Sequence, residues 1–345
     1  MNPIAIVGAG IGGIAAARTL RQRGLAIEIL DKGRSIGGRI ATRRDGRFQF
    51  DHGAQFFTVR DERFQSAVAP LRTRGLVQVW TGPFRTLVGG QFGADPRPGT
   101  VREVAVPRMT MLPRELARLL EVDLAGAVHV QCSVRVRSMQ RRADGWWLEA
   151  TTSDGVSLQR GPFAGVLLAL PPAQAHELLA ASGVEGPVAD AARLARDRLS
   201  PCLCAMVVFA DEVPEAKGGM FVTDEVLGFA AHDGGKPGRS ASPSFVLHAT
   251  PTWSRQNLER DPQTLARELV LAFERALGAA LPETVHCKGH RWRYAIAAGE
   301  ALPGAAVVDP EGGLAFASDA LVGGRVEGGF CSGVAAATAL ALTVQ

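Results

Sequence analysis

The sequence is poor in tyrosine, in cysteine and in long apolar runs. Tyr294 is the one tyrosine, so no site here rests on a tyrosine pair. The cysteines are Cys132, Cys202, Cys204, Cys287 and Cys331, an odd number with no C-x-x-C pair and no zinc-ligand spacing. Reduced thiols in a cytoplasmic protein, with no metal, are the expectation. Cys202 and Cys204 alternate along a strand-like run and would share one face. No apolar run reaches the ~18 residues of a membrane span, and residues 333–344 are too short and too small for one. Pro3 to Val7 leads straight into glycines, without a basic leader or a small-residue cleavage site, so no signal peptide is expected. The 38 basic and 34 acidic residues leave a net charge of +4, too weak a balance to argue for nucleic acid. The densest arginines are Arg39, Arg43, Arg44 and Arg47, which read as a solvated surface. No internal repeat is visible.

What is present starts near the first residue. Ile4 to Val7 reads as a buried parallel strand. Gly8, Gly10 and Gly13 spell G-x-G-x-x-G, with Ile11 and Gly12 between them. Ile11 to Arg23 reads as a helix, with Ile14, Ala17 and Leu20 on one face and Gly24 at its end. Ala26 to Leu30 is a second strand, followed by Asp31 and Lys32. This β-α-β unit is the context the glycine motif needs. One glycine permits the tight turn, one lets the backbone approach a pyrophosphate, and one lets helix pack on strand. The helix start offers free N–H groups and partial positive charge to phosphates. Asp31 lies 18 residues past Gly13, where a carboxylate can hold both hydroxyls of an adenosine ribose. Its charge disfavours a 2′-phosphate, which leaves NAD and FAD.

The next motif separates those two. DKGRSIGGR ends in Gly37, Gly38 and Arg39: a backbone that passes close to a ligand, and a side chain that can reach a pyrophosphate oxygen. FDHGAQFF, residues 50–57, places Asp51, Gly53 and Ala54 in another loop. A simple nicotinamide dehydrogenase has no need of this second clamp, so FAD is the expected cofactor.

Further along, residues 82–100 read as loop or irregular strand, and Leu112 to Leu120 as an amphipathic helix. VHVQCSVRVRSM and WWLEATTS, with turns at Ala143-Asp144-Gly145 and Asp154-Gly155, read as a β-meander. Ala164 to Leu170 is a buried strand stopped by Pro171-Pro172. Residues 173–198 read as helical, Leu203 to Phe209 and Ser244 to Thr250 as strands, residues 211–243 as loop-rich, and Thr264 to Leu277 as a helix. A glycine-rich tail ends in another helix. The expected fold is α/β. A Rossmann-like FAD-binding domain takes residues 1–65, 101–170 and 288–345, and an inserted α+β substrate or lid domain takes 66–100 and 171–287.

D-x-x-x-x-x-G-G-R directly after a Rossmann unit resembles the FAD-dependent amine oxidase superfamily. So does FASDALVGGRVEGGFCSGVAAA, residues 316–337, which is similar to that superfamily's last flavin motif. The resemblance implies that Asp319 binds the ribityl chain and that Val326, Glu327, Gly328 and Gly329 start a helix beside the isoalloxazine. It implies that Val134 meets the adenine through its backbone, and that LLALPP (167–172) leaves the flavin domain. GAQFF (53–57), VLHATPTWSRQ (246–256), HRWRYA (290–295) and GRVEGG (324–329) together resemble bacterial renalase-like proteins, through nearly the whole chain. Arg108, in VPRMTML, is a departure, because that group tends to have Gly there.

The narrower resemblance implies an FAD oxidase. It would take hydride from dihydronicotinamide isomers of NAD(P)H, return NAD(P)+ and pass electrons to O2, giving H2O2. That chemistry belongs to the flavin and needs no general base, so no catalytic triad is expected. A helix starting at Gly328 would supply a positive pole. Gln55, Phe56, Trp292, Tyr294, His248 and Arg325 are the pocket candidates, and Arg293 and Arg325 read either as cations for substrate phosphates or as members of structural ion pairs. His52 and His290 lie in or near the same motifs. Noncovalent FAD is expected, since no cysteine lies between Cys287 and Cys331. The alternatives are a flavin amine oxidase or lipid-type desaturase, a flavin-binding redox sensor without turnover, and a plain NAD dehydrogenase. An amine oxidase of this superfamily often flanks its substrate with two tyrosines, which this chain cannot supply.

Overall fold

The computed structural model describes residues 2–123, 128–297, 299–302 and 304–344. Its first elements are β1 (Ile4–Val7), α1 (Ile11–Gln22) and β2 (Ile27–Leu30). A hairpin, β3 (Arg43–Asp45) and β4 (Phe48–Phe50), precedes α2 (Glu62–Thr73), whose start is capped by Asp61 accepting from Arg63 N–H. Short strands follow: β5 (Val77–Val79), β6 (Phe84–Val88), β7 (Gln91–Phe92) and β8 (Glu103–Ala105). Then come α3 (Met111–Asp123), β9 (Val128–Gln131), β10 (Val134–Arg142), β11 (Gly145–Thr152), β12 (Ser157–Phe163) and β13 (Gly165–Leu168). Proline opens both α4 (Pro172–Ala181) and α5 (Pro187–Ala195), where its missing N–H removes no helix bond. The remaining elements are β14 (Leu199–Phe209), β15 (Gly219–Val222), β16 (Leu227–His232), β17 (Ser244–Ala249), α6 (Pro251–Gln256) and α7 (Pro262–Leu277). β18 (Thr284–Ala297), β19 (Val307–Asp309), β20 (Leu314–Phe316) and α8 (Val326–Ala341) close the chain.

Two large sheets organise these elements. The first has the order β19-β20-β13-β1-β2-β9 and is parallel except for β19. Successive side chains of β1 point to opposite faces. Ile4 and Ile6 pack with Ile14, Ala17 and Leu20 of α1 and Ala336 and Leu340 of α8. Ala5 and Val7 pack in a second core with Leu148, Phe163, Leu178 and Ala192, from the three-stranded sheet β10-β11-β12 and from α4 and α5. The second large sheet has the order β18-β14-β17-β16-β15-β6-β7. It buries Leu203, Ala205, Val207, Phe245 and Leu247 against Leu265, Leu269 and Phe273 of α7. Each such large side chain contributes about 1.5–3 kcal/mol relative to exposure.

The expected α/β class, the first β-α-β unit and the final helix are present. Several elements differ from the sequence reading. β9 leaves the meander and pairs with β2, register Ile27 to Val128, so the meander has three strands. Residues 211–243, read as loop-rich, contain β15 and β16, whereas residues 82–100 contain the short strands β6 and β7, within the reading of loop or irregular strand. Residues 288–297, grouped with the nucleotide domain in the expected division, belong to β18 and hydrogen-bond to β14. α4 and α5, grouped with the inserted segment, pack against the parallel sheet.

Candidate active site

Between the two large sheets lies a cavity of about 1420 Å³. Pockets for a single small ligand run to about 300–1000 Å³, so there is room for more than one. The glycine loop forms one wall. A side chain at Gly10 would meet nothing within 4 Å, so the backbone there faces open space. Gly8 has φ +109°, and a Cβ would lie 2.4 Å from Ala169 O, so only glycine fits that turn. No side chain caps the start of α1, which leaves its N–H groups free toward the cavity. Such a loop could hold a phosphate-bearing cofactor.

Asp31 stands at the end of β2 and lines the same wall. One carboxylate oxygen accepts from Ala9 N–H and the other from Gly33 N–H, both at 2.5 Å. A carboxylate has about four acceptor positions, so capacity remains for hydroxyls. Lys32 and Val134 lie beside it.

The far end of the chain meets the amino end at Arg39. Its guanidinium grips Asp319 through two bonds, Nη2 to Oδ1 at 2.5 Å and Nη1 to Oδ2 at 2.9 Å. The sequence reading gave these residues separate ligand contacts. They are joined because the loops after β2 and β20 converge on one cavity wall. Arg39 has five donors, so some stay available to an anion.

Loop 50–57 is fastened from both sides. Ala54 N–H donates to Arg39 O at 3.0 Å, and a Cβ at Gly53 would lie 2.0 Å from that oxygen. The carbonyl of His52 accepts from Trp292 Nε1 at 2.9 Å, His248 Nε2 at 3.2 Å and Cys204 Sγ at 3.6 Å. Three strands of the second sheet therefore hold one carbonyl of the loop. Burial lowers the pKa of His52 to about 3, and burial lowers His248 and His290 to about 4, so all three stay neutral at ordinary pH. Gln55 is held by its amide NH2 on Asp51 O and Gly53 O, while its Oε1 accepts from Lys236 Nζ at 2.9 Å. The Phe56 ring meets Phe84 edge-on at 5.6 Å and Phe229 at 6.3 Å.

Lys236 belongs to a fully buried cluster. It donates to Asp233 Oδ1 at 2.7 Å and reaches Asp51 Oδ2 at 3.4 Å, and Arg239 also donates to Asp51. Burial alone would raise the pKa of Asp51, but Lys236 and Arg239 outweigh it and hold the carboxyl low. Burial, helped by the charge of Asp51, raises that of Asp233.

The pocket candidates Gln55, Phe56, His248, Trp292, Tyr294 and Arg325 all line the cavity. So do Gly8, Gly10, Ile11, Gly12, Gly38, Ala54 and Val326 from the expected cofactor set. Arg293 lines it too but pairs with Glu259 at 2.6 Å. Gly13, Glu327 and Gly328 are not brought to it. Gly13 packs on Gly8, where a Cβ would lie 1.8 Å from the carbonyl oxygen. Glu327 turns away and accepts the backbone N–H groups of Arg60 and Asp61, anchoring the start of α2. Gly328 backs on Val322. Sequence reasoning missed Arg43, Arg44, Cys202, Phe221 and the Lys236 cluster. The one signal for the cluster was a pair of basic residues in the Gly- and Ser-rich stretch GGKPGRSAS.

Arg325 has φ +73° and ψ 160° and sits at the start of α8 with no side-chain cap. That backbone region is essentially glycine-only and costs on the order of 1–3 kcal/mol. Among the described residues Arg325 has no ion-pair partner. The positive end of α8 and an unpaired guanidinium therefore share one corner of the cavity.

Known proteins agree with this architecture. Wild-type putrescine oxidase bound to putrescine superposes with a TM-score of 0.67 over 99% of this chain and 98% of that one, at 14% identity. Cyclohexylamine oxidase from Brevibacterium oxydans gives 0.67, over 99% of both chains at 14% identity. A 4,4'-diapophytoene desaturase (4,4'-diapolycopene-forming) from Methylomonas is 43% identical over 65 residues, which are 18% of this chain and 13% of that enzyme. Residues 6–70 match the NAD(P)-binding Rossmann-like domain. Residues 92–341 match the flavin containing amine oxidoreductases, and with most of its length inside that match the chain belongs to this family of flavin-dependent oxidoreductases.

Proposed function

We propose that the protein is an FAD-dependent oxidase of the renalase-like type, which converts dihydronicotinamide isomers of NAD(P)H to NAD(P)+ with O2 as electron acceptor and H2O2 as product. FAD, held noncovalently, supplies the hydride acceptor. The observation that carries the reading is the charge of the cavity wall. Among the described residues ten basic ones line it against three acidic ones, Asp31, Glu177 and Asp319. That field attracts an anionic dinucleotide and opposes a protonated amine. Arg43, Arg44 and Arg325 stand on the wall without acidic partners among the described residues.

The residues have distinct tasks in this reading. Gly10, the start of α1 and Arg39 bind the cofactor's pyrophosphate, and Asp31 its ribose. The parallel sheet holds the cofactor, and the seven-stranded sheet covers it. Trp292 and Phe56 orient the substrate ring, and neutral His248 and His290 add no positive charge beside it. The positive end of α8 stabilises developing negative charge. Cys202 lines the cavity with its thiol pushed up to about 12 by burial, so it stays protonated, which supports a noncovalent cofactor. The apolar corner of Phe56, Phe221 and Phe229 favours one second reading, a desaturase or amine oxidase with an apolar substrate. Anaerobic mixing with each substrate class separates them, with flavin absorbance as the readout. Rapid bleaching by dihydronicotinamide isomers is expected. Bleaching by amines alone refutes the proposal.

A further inference from the structure

We propose that Arg44, Arg108 and Arg114, gathered at the amino end of α3 beside the cavity, form a binding site for a phosphate group. The backbone brings them together. Thr42 N–H donates to Thr110 Oγ1 at 2.6 Å, and Thr110 N–H donates to Thr42 Oγ1 at 3.3 Å. Met109 N–H donates to Asp51 Oδ1 at 3.0 Å, and Gln49 Nε2 to Pro107 O at 3.2 Å. The β3–β4 hairpin is thus laced to residues 107–110, which places Arg44 near Arg108. Arg114 sits in the first turn of α3, its N–H on Thr110 O at 3.3 Å. Gly238 lies against the same segment, where a Cβ would be 2.3 Å from Val106 Cγ1. Arg239 follows it and closes the group from behind.

The local charges do not cancel. Asp51 is the acid that pulls on Arg108, and it is already committed; Asp45 pairs with Lys288, and Glu115 with Arg74 and Arg118. Asp51 is fully buried, and it serves Arg239, Lys236, Thr42 Oγ1 and Met109 N–H. Asp233 serves Lys236. Among the described residues neither Arg44, Arg108 nor Arg114 has an ion-pair partner. The strain shows at Arg108: burial lowers its pKa, and the charges of Arg44, Arg114 and Arg239 lower it further, against a weaker pull from Asp51. Arg44 is exposed and Arg108 and Arg114 are half-buried, so a ligand can reach them.

A phosphate answers this arrangement. Planar guanidinium forks match its oxygens in pairs. The positive end of α3 lies beside Arg108, and its first turn carries no acidic residue. Arg44 also lines the main cavity, so the site adjoins it. The phosphate can arrive on a nucleotide or as a free anion, and the site does not depend on the reaction proposed above.

The test is calorimetric titration of the FAD-loaded full chain with inorganic pyrophosphate, at ionic strength held constant with NaCl. Stoichiometric flavin keeps the cofactor's own phosphate cradle occupied. Saturable binding is expected. Arg108→Ala and Arg44→Ala should each weaken it about tenfold, the worth of one hydrogen bond to a charged group. Arg108→Lys should retain part of it, and Arg193→Ala, on α5 and paired with Asp190, should leave it unchanged. A second titration in the presence of NADP+ identifies the source. Displacement marks the phosphate as the nucleotide's own, simultaneous binding marks a separate anion, and both outcomes uphold the site. No saturable binding, or wild-type binding in both alanine variants, overturns it. Should Arg108→Ala fail to fold, Arg44→Ala and Arg108→Lys decide the matter alone.

Discussion

Replacing Lys236 by methionine removes one charge from the cluster behind Gln55 while keeping the chain length. The Lys236 side chain is 0% exposed and bonded to Asp233, Gln55 and, at longer range, Asp51. Asp51 keeps Arg239, but Asp233 loses its cation and Gln55 Oε1 its donor. Breaking a buried ion pair from one side costs about 3–5 kcal/mol, because the remaining charge is buried alone. Total stabilities are about 5–15 kcal/mol, so the loss is a large share. At about 1.4 °C per kcal/mol for a chain of 345 residues, the melting temperature should fall by roughly 4–7 °C. Thermal scans at one fixed rate, with and without FAD, measure it. Lys236→Met combined with Asp233→Asn removes both charges and should recover part of the loss. A single variant that melts within about 1 °C of the parent refutes the reasoning, since no buried pair of this geometry is lost so cheaply.

Two further outcomes follow from the geometry. His248 is held neutral, at about 4, against about 6.5 in an unfolded chain. Its contribution is complete above pH ~6.5 and shrinks as pH falls toward 4, because the unfolded state then binds the extra proton. The full gap is worth ~3 kcal/mol. Urea midpoints between pH 7.5 and 5 should therefore drop, and drop less in His248→Asn; equal slopes would sink the assignment. Gly333→Ala would put a Cβ 2.0 Å from Gly12 O, a backbone atom. The two helices must then separate, at about 1–3 kcal/mol. Because Gly12 lines the cavity, release of the flavin, monitored by its fluorescence, should quicken; unchanged release and melting would disprove the tight crossing.

Local signals made the first β-α-β unit legible. The buried run Ile4–Val7, the three glycines and Asp31 lie within one short stretch, and each has a task that neighbours in sequence define. β9 was harder. Its alternation suits a meander strand as well as a parallel one, and only its pairing with β2 decides. β15 and β16 hid among Gly, Asp and Pro residues that usually mark turns. β18 hid because an edge strand carrying Lys288, Arg291 and Arg293 lacks the apolar run of a buried one. The site's ion pairs were invisible for another reason. Arg39 and Asp319 are 280 residues apart, and Lys236 and Asp51 are 185 apart, so nothing local announces either pair.

The crossing of α1 and α8 also sets an order of events during synthesis. Gly12 rests on the backbone of Gly329 and Gly333. Chains grow at about 5–20 residues per second, so roughly 15 s or more separate the making of the two helices. Until residues 319–341 emerge, the first helix has an open flank and the cavity lacks the wall that carries Asp319 and Arg325. Cofactor capture is therefore a late event in the life of the chain, and a ribosome stalled before α8 would hold a polypeptide with the glycine loop complete and no flavin.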